Sequence, residues 1–319
     1  MLYQDRIYGE VKIEEPVILE LIKSKPIQRL KGIAQHGIPQ EFYSWPGFSR
    51  FEHSLGVTIL LKRLDADLEE QIAGLLHDVS QTAFSHVFDW ILGEREKENS
   101  HDKVHQRFIL NCLEIVKILM KFHFIPLEIS KIDSFTLLEQ EIPHLCADRS
   151  DYALREFYLW ANPKIVKVCL DTLINYDGQI VFNNSETAKF FAETYLKCQT
   201  EHWGGYEAVE KYYLFSKVFK EALDKNILSL EDFYQDDNFI IRKIQESEDD
   251  NLINILEKLK NKRLDKLDHG DKQIFKKKFR YVDPKILENG RIFTLSSISS
   301  AFKNFLENQR LINLKGIEI

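Results

Sequence analysis

The chain has 319 residues, of which 44% are hydrophobic and 29% are charged. This composition is typical of a globular protein and excludes a disordered chain, which would combine few hydrophobic residues with a high net charge. The 43 Lys and Arg against 50 Asp and Glu give a formal charge of −7, which disfavours a protein that coats nucleic acid.

Sequence patterns also bear on the cellular setting. No apolar run approaches the ~20 residues of a membrane-spanning helix, and the charged segment 1–10 lacks the apolar region of a secretory signal. The four cysteines form no CxxC pair, which argues against a zinc knuckle and a disulfide framework. We therefore expect a cytoplasmic protein without a membrane segment, whose cysteines are buried, reduced thiols.

The hydrophobic pattern predicts a mainly helical protein, since only 13 Gly and 8 Pro interrupt it. Apolar residues recur three and four positions apart over seven segments: 17–22, 27–34, 51–64, 68–76, 104–120, 129–138 and 145–160. Three short segments favour strands, the first of them after a turn-forming Asp-Gly pair: 179–182, 279–282 and 292–295. Segment 37–50 is interpreted as a structured loop, and segments 93–103 and 261–278 as solvated surface.

Histidines concentrate between residues 53 and 105, where five of the ten lie. One of them, His77, is followed directly by Asp78 at the end of the apolar run 72–76. An imidazole and a carboxylate at the end of an apolar helix need polar partners, and a metal ion satisfies both. Imidazole nitrogen with carboxylate oxygen suits Mn, Fe, Co, Ni or Zn and accepts Mg. The pair is therefore a candidate metal-binding motif.

Three separated motifs make the interpretation more specific: RFEHSLGV at 50–57, GLLHDVSQTAFSH at 74–86 and ADRSDYALRE at 147–156. In this order they resemble the HD-domain phosphohydrolases, and among these the branch that contains the deoxynucleoside triphosphate triphosphohydrolases. The resemblance covers roughly residues 5–160. It implies an all-α fold with an HD-domain helical bundle over residues 1–162. The remaining pattern predicts a mainly helical C-terminal lobe over residues 163–319, with a small β-hairpin.

By motif position, the resemblance implies that His53, His77, Asp78 and Asp148 bind one divalent metal ion. Its identity stays open among Mn, Fe, Co, Ni, Zn and Mg. Helices from three separated segments can converge on one point of a bundle, so the distance between these residues in sequence is no obstacle. The family's metal polarises a phosphoryl oxygen and lowers the pKa of a bound water.

The resemblance also implies residues that act on the substrate. Two pairs of histidine and aspartate match positions near the scissile phosphate and the leaving group, where an oriented imidazole can donate a proton: His101–Asp102 and His86–Asp89. Six residues match positions that contact phosphate, sugar or their surroundings: Arg50, Gln35, Gln81, Arg149, Tyr152 and Glu156. Two alternatives stay open, a surface ion pair for Arg50 and a core position for Tyr152. The other histidines are interpreted as surface residues: His105, His123, His144, His202 and His269.

Two positions depart from the family pattern. Gln81 stands where the family commonly has a histidine three residues after His-Asp, and glutamine cannot carry a proton between pH 5 and 8. His36 follows Gln35 at a position that is apolar in the well-studied triphosphohydrolases, which leaves the preference between deoxyribose and ribose open.

The resemblance implies a metal-dependent phosphohydrolase acting on a nucleotide, in its most specific form the conversion of a (d)NTP to nucleoside and triphosphate. One alternative is a phosphomonoesterase or phosphodiesterase acting on a nucleotide, because a fold does not fix a substrate. A second is a regulatory nucleotide-binding protein with weakened turnover, for which Gln81 is the main argument. Formation of a homo-oligomer is left open.

Overall fold

The computed structural model describes residues 1–93, 100–260 and 273–319, and it describes residues 100–102 by their backbone alone. Within these ranges the chain forms sixteen α-helices: α1 Pro16–Lys23, α2 Lys25–Arg29, α3 Arg50–Arg63, α4 Leu68–Leu76, α5 His86–Ile91, α6 Ser100–Asn111, α7 Leu113–Lys121, α8 Pro126–Ile129, α9 Ala147–Glu156, α10 Pro163–Thr172, α11 Ser185–Cys198, α12 Tyr206–Asp224, α13 Asp237–Gln245, α14 Asp250–Lys260, α15 Leu295–Ile298 and α16 Ser300–Lys315. The predicted mainly helical fold is thereby confirmed.

Side-chain caps fix where the helices of the site begin. The Ser49 hydroxyl accepts a hydrogen bond from the backbone N–H of Glu52 and starts α3. Asp67 caps α4 through the N–H of Glu70 in the same way. Such caps satisfy N–H groups that have no partner inside the helix. The functional motifs therefore begin or end at defined helix termini.

Some predicted helical segments differ from the structure. Segment 104–120 is divided between α6 and α7 at Cys112. Segment 129–138 holds only the end of α8 and a short 3-10 turn at Ile132–Ser134. The solvated loop predicted at 93–103 is wrong at its end, because α6 already begins at Ser100; residues 94–99 lie outside the described residues.

The strands form three small sheets rather than the one predicted hairpin. The first sheet pairs β1 Leu2–Asp5 with β2 Gly9–Lys12, and the second holds β3 Leu173–Tyr176, β4 Gln179–Phe182, β6 Lys285–Glu288 and β7 Arg291–Thr294 in that order. The third sheet pairs β5 Ile274–Phe275 with β8 Ile317–Glu318. The predicted strands at 179–182 and 292–295 correspond to β4 and β7. Asp177 and Gly178 both have positive φ, 52° and 71°, as the tight β3–β4 turn requires. The strand predicted at 279–282 is wrong, because these residues form no strand in the described part of the chain.

Two hydrophobic clusters form the interior. The first is built mainly by α1–α4 and α7–α11 and also includes residues 282–302. The second packs α5 against α12, α13 and α14. The solvated surface predicted at 261–278 is described only over its last six residues, since 261–272 lie outside the described residues; Gln273, Ile274 and Lys276 are exposed, whereas Phe275 and Lys277 are buried. The boundary after residue 162 stays a prediction.

Two further expectations concern the state of the cysteines and the presence of a membrane-spanning helix. All four cysteines are free thiols; three are buried, whereas Cys112 is only partly buried. In the part of the chain that the structure describes, no helix has the length and apolar character needed to cross a membrane.

Candidate metal centre and substrate cavity

Three helices bring the residues of the sequence motifs together. His53 lies on α3, His77 and Asp78 directly follow α4, and Asp148 is in the first turn of α9. Helix α3 packs against both α4 and α9, which places these side chains at one point in the bundle. His53, His77 and Asp78 are buried, and the side chain of Asp148 is 23% exposed. The cluster is therefore enclosed on the protein side and open beside Asp148.

The facing atoms of the cluster lie within a few ångströms of one another. Nε2 of His53 is 3.2 Å from Nε2 of His77 and 2.8 Å from Oδ1 of Asp148. Nε2 of His77 is 3.5 Å from the same Asp148 oxygen. Oδ2 of Asp78 is 3.9 Å from Nε2 of His53 and 3.7 Å from that of His77. Two ligands ~2.1 Å from one ion lie ~3.0–3.4 Å apart at octahedral or tetrahedral angles, so small adjustments would place all four atoms around one ion.

Both imidazoles are oriented by their other ring nitrogen. Nδ1 of His53 donates to Oδ2 of Asp151 at 2.8 Å, and Nδ1 of His77 donates to the carbonyl of Gly74 at 2.7 Å. Because Nδ1 of each ring is held by an acceptor, Nε2 is the nitrogen that faces the cluster and would bind a metal ion. A carboxylate or carbonyl behind a metal-binding histidine has this effect in metalloproteins.

The carboxylates of the cluster also create a site for positive charge. Burial by itself lowers the pKa of His77, but Asp78 and Asp148 outweigh it and raise that pKa to about 9. Burial of His53 is likewise outweighed, by hydrogen bonds to Asp148 and Asp151, and its pKa is raised. The cluster therefore favours a cation, and a bound metal ion would replace these protons.

The residues present fit a divalent metal ion. His53, His77 and Asp78 each offer one ligand atom within 4.8 Å of the others. Two imidazole nitrogens with carboxylate oxygens are the ligand set of Mn, Fe, Co, Ni and Zn sites. The predicted divalent cofactor is confirmed as a class, with its identity open.

The metal cluster opens into a cavity of about 980 Å³. Buried Arg50 lies between the cluster and the cavity: its Nη1 donates to Oδ2 of Asp78 at 2.5 Å and its Nε to Oγ of Ser85 at 2.8 Å. The open alternative of a surface ion pair for Arg50 is therefore wrong. Six cationic side chains line this cavity: Arg50, Lys103, Lys131, Arg149, Lys278 and Arg280. Four carboxylates also line it, Asp78, Asp133, Glu139 and Asp148, so the cationic side chains exceed the carboxylates by two, in a chain whose net charge is −7.

A strained turn places His86 at the edge of the cavity. Phe84 and Ser85, which precede it, have positive φ angles of 55° and 42°, a conformation that costs non-glycine residues about 1–3 kcal/mol each. The buried carboxylate of Asp237 holds the turn by accepting from the N–H of Phe84 at 2.7 Å and of Ala34 at 2.8 Å. Nδ1 of His86 lies 3.1 Å from Oδ2 of Asp89, so the two are paired as the sequence suggested.

The histidines of α6 give a mixed outcome. The side chains of His101 and Asp102 lie outside the described residues, so their predicted role is retained as a proposal. The interpretation of His105 as a surface residue is wrong: it is 4% exposed, lines the cavity, and has Nδ1 3.4 Å from Oγ of Ser80. The helical pattern missed it because its burial depends on contact with a distant loop.

Three more of the predicted substrate residues line the cavity: Arg149 and Tyr152 on α9, and Gln81. Arg149 lines the cavity and contacts Glu139 at 3.3 Å and the carbonyl of His144. Tyr152 lines the cavity and its hydroxyl hydrogen-bonds that of Tyr195, so it is both a packed and a cavity-lining residue. Gln81 is buried in the same wall.

A second, smaller pocket of about 80 Å³ adjoins the cavity and shares Gln35, His86, Tyr152 and Arg280 with it. His36 and Glu156 also line this pocket, with Nδ1 3.4 Å from Oε1. Burial lowers the pKa of His36 to about 3 and raises the pKa of Glu156 well above its usual range. The pair is therefore neutral.

One further histidine differs clearly from the expectation of a surface position: His202 is buried, 4.0 Å from Trp160 between ring centroids. His123 is exposed, as predicted, and His144 is half-buried. His269 lies outside the described residues. Sequence reasoning also missed Asp151, although its spacing of three from Asp148 on α9 puts both on one helix face.

Comparisons with known proteins agree with this architecture. The family model of the HD domain matches residues 50–154. The uncharacterized protein YdhJ of Bacillus subtilis (strain 168) is 35% identical, over 100% of this chain and 98% of YdhJ. The metal-dependent phosphohydrolase cns2 of Cordyceps militaris is 34% identical, over 70% of this chain and 67% of cns2.

Two further similarities are more limited. Deoxynucleoside triphosphate triphosphohydrolase SAMHD1 of Bos taurus is 39% identical over 102 residues, which is 27% of this chain and 17% of SAMHD1. A crystal structure of a hypothetical protein from Aquifex aeolicus has a TM-score of 0.65 at 21% identity, over 95% of this chain and 93% of that one. The latter shows a shared fold.

The helical bundle and its two-histidine, two-carboxylate cluster define a metal-dependent phosphohydrolase of the HD type. The chain belongs to the HD-domain phosphohydrolase superfamily.

Proposed function

We propose that the substrate is a nucleotide, and in the most specific form a (d)NTP that is hydrolysed to nucleoside and triphosphate. The observation that supports this proposal is the pairing of two unlike spaces: a cation-lined cavity beside the metal cluster, and an adjoining second pocket in which the neutral His36–Glu156 pair lies beside Lys277 and Arg280. A polyphosphate chain suits the first and an uncharged nucleoside suits the second. Partial similarity to a deoxynucleoside triphosphate triphosphohydrolase supports the same substrate class.

In this proposal the ligands of the metal are His53, His77, Asp78 and Asp148. When bound, the ion polarises a phosphoryl oxygen and lowers the pKa of water. Arg50 would present its remaining guanidinium N–H groups to the α-phosphate, since a planar fork suits paired phosphate oxygens.

The other proposed residues act around the phosphates. His86, oriented by Asp89, would protonate the leaving oxygen, and His101 with Asp102 is the alternative donor. Phosphoryl transfer depends mainly on positioning and charge stabilisation, so few acid–base groups are needed. Gln81 and Arg149 would contact the phosphate chain, because both line the cavity.

The second pocket would take the sugar end of the substrate. Among the described residues, Nε2 of His36 and Oε1 of Gln35 are buried without a hydrogen-bond partner. Such atoms are costly to bury unless a ligand or water bonds them. Glu156 and Tyr152 complete the same wall. A ring bearing hydroxyl groups provides the missing donors and acceptors.

The direct test is a panel of nucleoside mono-, di- and triphosphates, a dinucleotide and an RNA oligonucleotide with each divalent metal, with products identified by chromatography. The proposal expects nucleoside and triphosphate in equal amounts. Release of inorganic phosphate would instead support a phosphomonoesterase. Mononucleotides released from a dinucleotide or RNA end would support a phosphodiesterase.

Gln81 provides a test of the rival in which turnover is weakened. We expect the wild-type protein to turn over its substrate, and Gln81→His to change kcat less than about tenfold, because His86 is available as proton donor. The matched control is Gln106→His, which adds an imidazole elsewhere on the cavity wall. A wild-type rate near zero together with a gain of more than about 10² in Gln81→His alone would favour the regulatory binder.

His36 is expected to contribute to recognition of a sugar hydroxyl. Leucine at this position cannot hydrogen-bond, so His36→Leu should lower kcat/KM for a ribonucleotide relative to the matching deoxyribonucleotide by about tenfold, as for loss of one buried hydrogen bond. The control His202→Leu makes the same change at a buried histidine that lines neither space. An unchanged ratio in His36→Leu would contradict this role.

A further inference from the structure

We infer that the N-terminal hairpin β1–β2 positions the metal-binding imidazole of His53, through Tyr8 and Asp5 acting on Asp151 and Arg155. Tyr8 and Asp5 are positioning residues in this scheme: neither lines the cavity or the second pocket. The affinity for metal would then depend on a segment more than forty residues before the first ligand in sequence.

The carboxylate of Asp151 is held by donors on both oxygens. Oδ2 accepts from Nδ1 of His53 and from Nε of Arg155, each at 2.8 Å. Oδ1 accepts from the hydroxyl of Tyr8 at 2.8 Å. Three donors from three segments leave the carboxylate one orientation, and that orientation sets the plane of the His53 ring. Partners behind a metal-binding histidine affect metal affinity because they fix the ring and its tautomer.

Asp5 completes the scheme by holding Arg155. Its Oδ2 accepts from Nη2 of Arg155 at 2.8 Å, while its Oδ1 accepts from the N–H groups of Ile7 and Tyr8 at 2.8 and 3.0 Å. One carboxylate therefore both shapes the hairpin turn that presents Tyr8 and fixes the arginine that contacts Asp151. Asp5, Asp151 and Arg155 are all buried, so these contacts exclude solvent.

The packing around this network is specific to it. The ring of Tyr8 lies 5.8 Å from the guanidinium carbon of Arg155. On the opposite side, a Cβ added to Gly56 would lie 2.0 Å from Nη2 of Arg155 and 2.2 Å from Oδ1 of Asp151. The α3 helix that carries His53 thus leaves space for the ion pair that orients His53.

The test compares Tyr8→Phe with Tyr3→Phe, in the full-length protein. Tyr8→Phe removes one hydroxyl that donates to Asp151, whereas Tyr3→Phe removes a hydroxyl of the same hairpin that makes no hydrogen bond among the described residues. Asp5→Asn is the second variant, because its amide oxygen can keep the turn while the charge opposite Arg155 is lost. Mn²⁺ affinity is measured by competition with a chelator at 25 °C, and unfolding is followed in parallel.

We expect Tyr8→Phe and Asp5→Asn to weaken Mn²⁺ binding by about three- to tenfold, less than the 10–100-fold of a direct partner because they act one bond further out. Tyr3→Phe should bind Mn²⁺ like wild type. Tyr8→Phe that unfolds earlier but binds Mn²⁺ within twofold of wild type would overturn the inference and leave a purely structural hairpin. If Asp5→Asn does not fold, Tyr8→Phe alone decides. The readout is metal binding, so it is independent of the substrate proposed above.

Discussion

Asp78→Asn is expected to lose the bound metal ion and to lower kcat/KM by at least about 10³. The asparagine keeps the size of the side chain and an oxygen for Nη1 of Arg50, which bonds Asp78 at 2.5 Å, but it removes the negative charge. The metal contributes several kcal/mol of charge stabilisation at a phosphoryl oxygen, and each 1.36 kcal/mol is a factor of about ten in rate.

The measurement is the metal content of purified protein together with steady-state kinetics. Wild type should hold about one equivalent of divalent ion, as expected for a single site. Asp133→Asn is the matched control, because Asp133 lines the same cavity but is outside the cluster. A fully loaded and active Asp78→Asn protein would contradict the assignment of Asp78 as a ligand.

Gly56→Ala is expected to destabilise the protein strongly, although it replaces glycine within helix α3. Helix propensity alone favours alanine there by about 1 kcal/mol. The added Cβ would lie 2.0 Å from Nη2 of Arg155 and 2.2 Å from Oδ1 of Asp151, both in a buried ion pair. Separating a buried ion pair costs about 3–5 kcal/mol. The clash therefore outweighs the gain in helix propensity, and the substitution should lower the free energy of unfolding.

Urea denaturation measures this difference in the free energy of unfolding. Gly47→Ala is the control, because the nearest atom to its added Cβ is at 3.7 Å, and it should change the free energy of unfolding by less than about 0.5 kcal/mol. A Gly56→Ala protein as stable as wild type, or more stable, would show that the Arg155–Asp151 pair can move aside without cost.

The helical framework follows from local patterns in the sequence, and the metal cluster was predicted from the resemblance of three motifs to the HD-domain phosphohydrolases. Apolar periodicity located α3 and α4 within one or two residues. The motifs pointed to His53, His77 and Asp78, and the structure places these side chains in one group. Such features are readable because helical spacing and short motifs lie within one element.

Features that depend on long-range packing could not be predicted from the sequence. The β1–β2 strands have four residues each, too few for a clear alternation. Tyr8 and Asp151 are 143 residues apart, so nothing local connects them. The surface position predicted for His105 was wrong for the same reason: its polar, charged neighbours on α6 resemble a solvated face, whereas in the fold it is buried and contacts Ser80, 25 residues away.

The most direct test of the metal centre is an anomalous-difference map from crystals of the wild-type protein grown with Mn²⁺. If these four residues bind the metal ion, one strong peak is expected about 2.0–2.3 Å from Nε2 of His53 and His77 and from carboxylate oxygens of Asp78 and Asp148. A peak only in the neighbouring group of Glu139, Cys146 and Asp148, or no peak in a folded protein, would contradict this assignment.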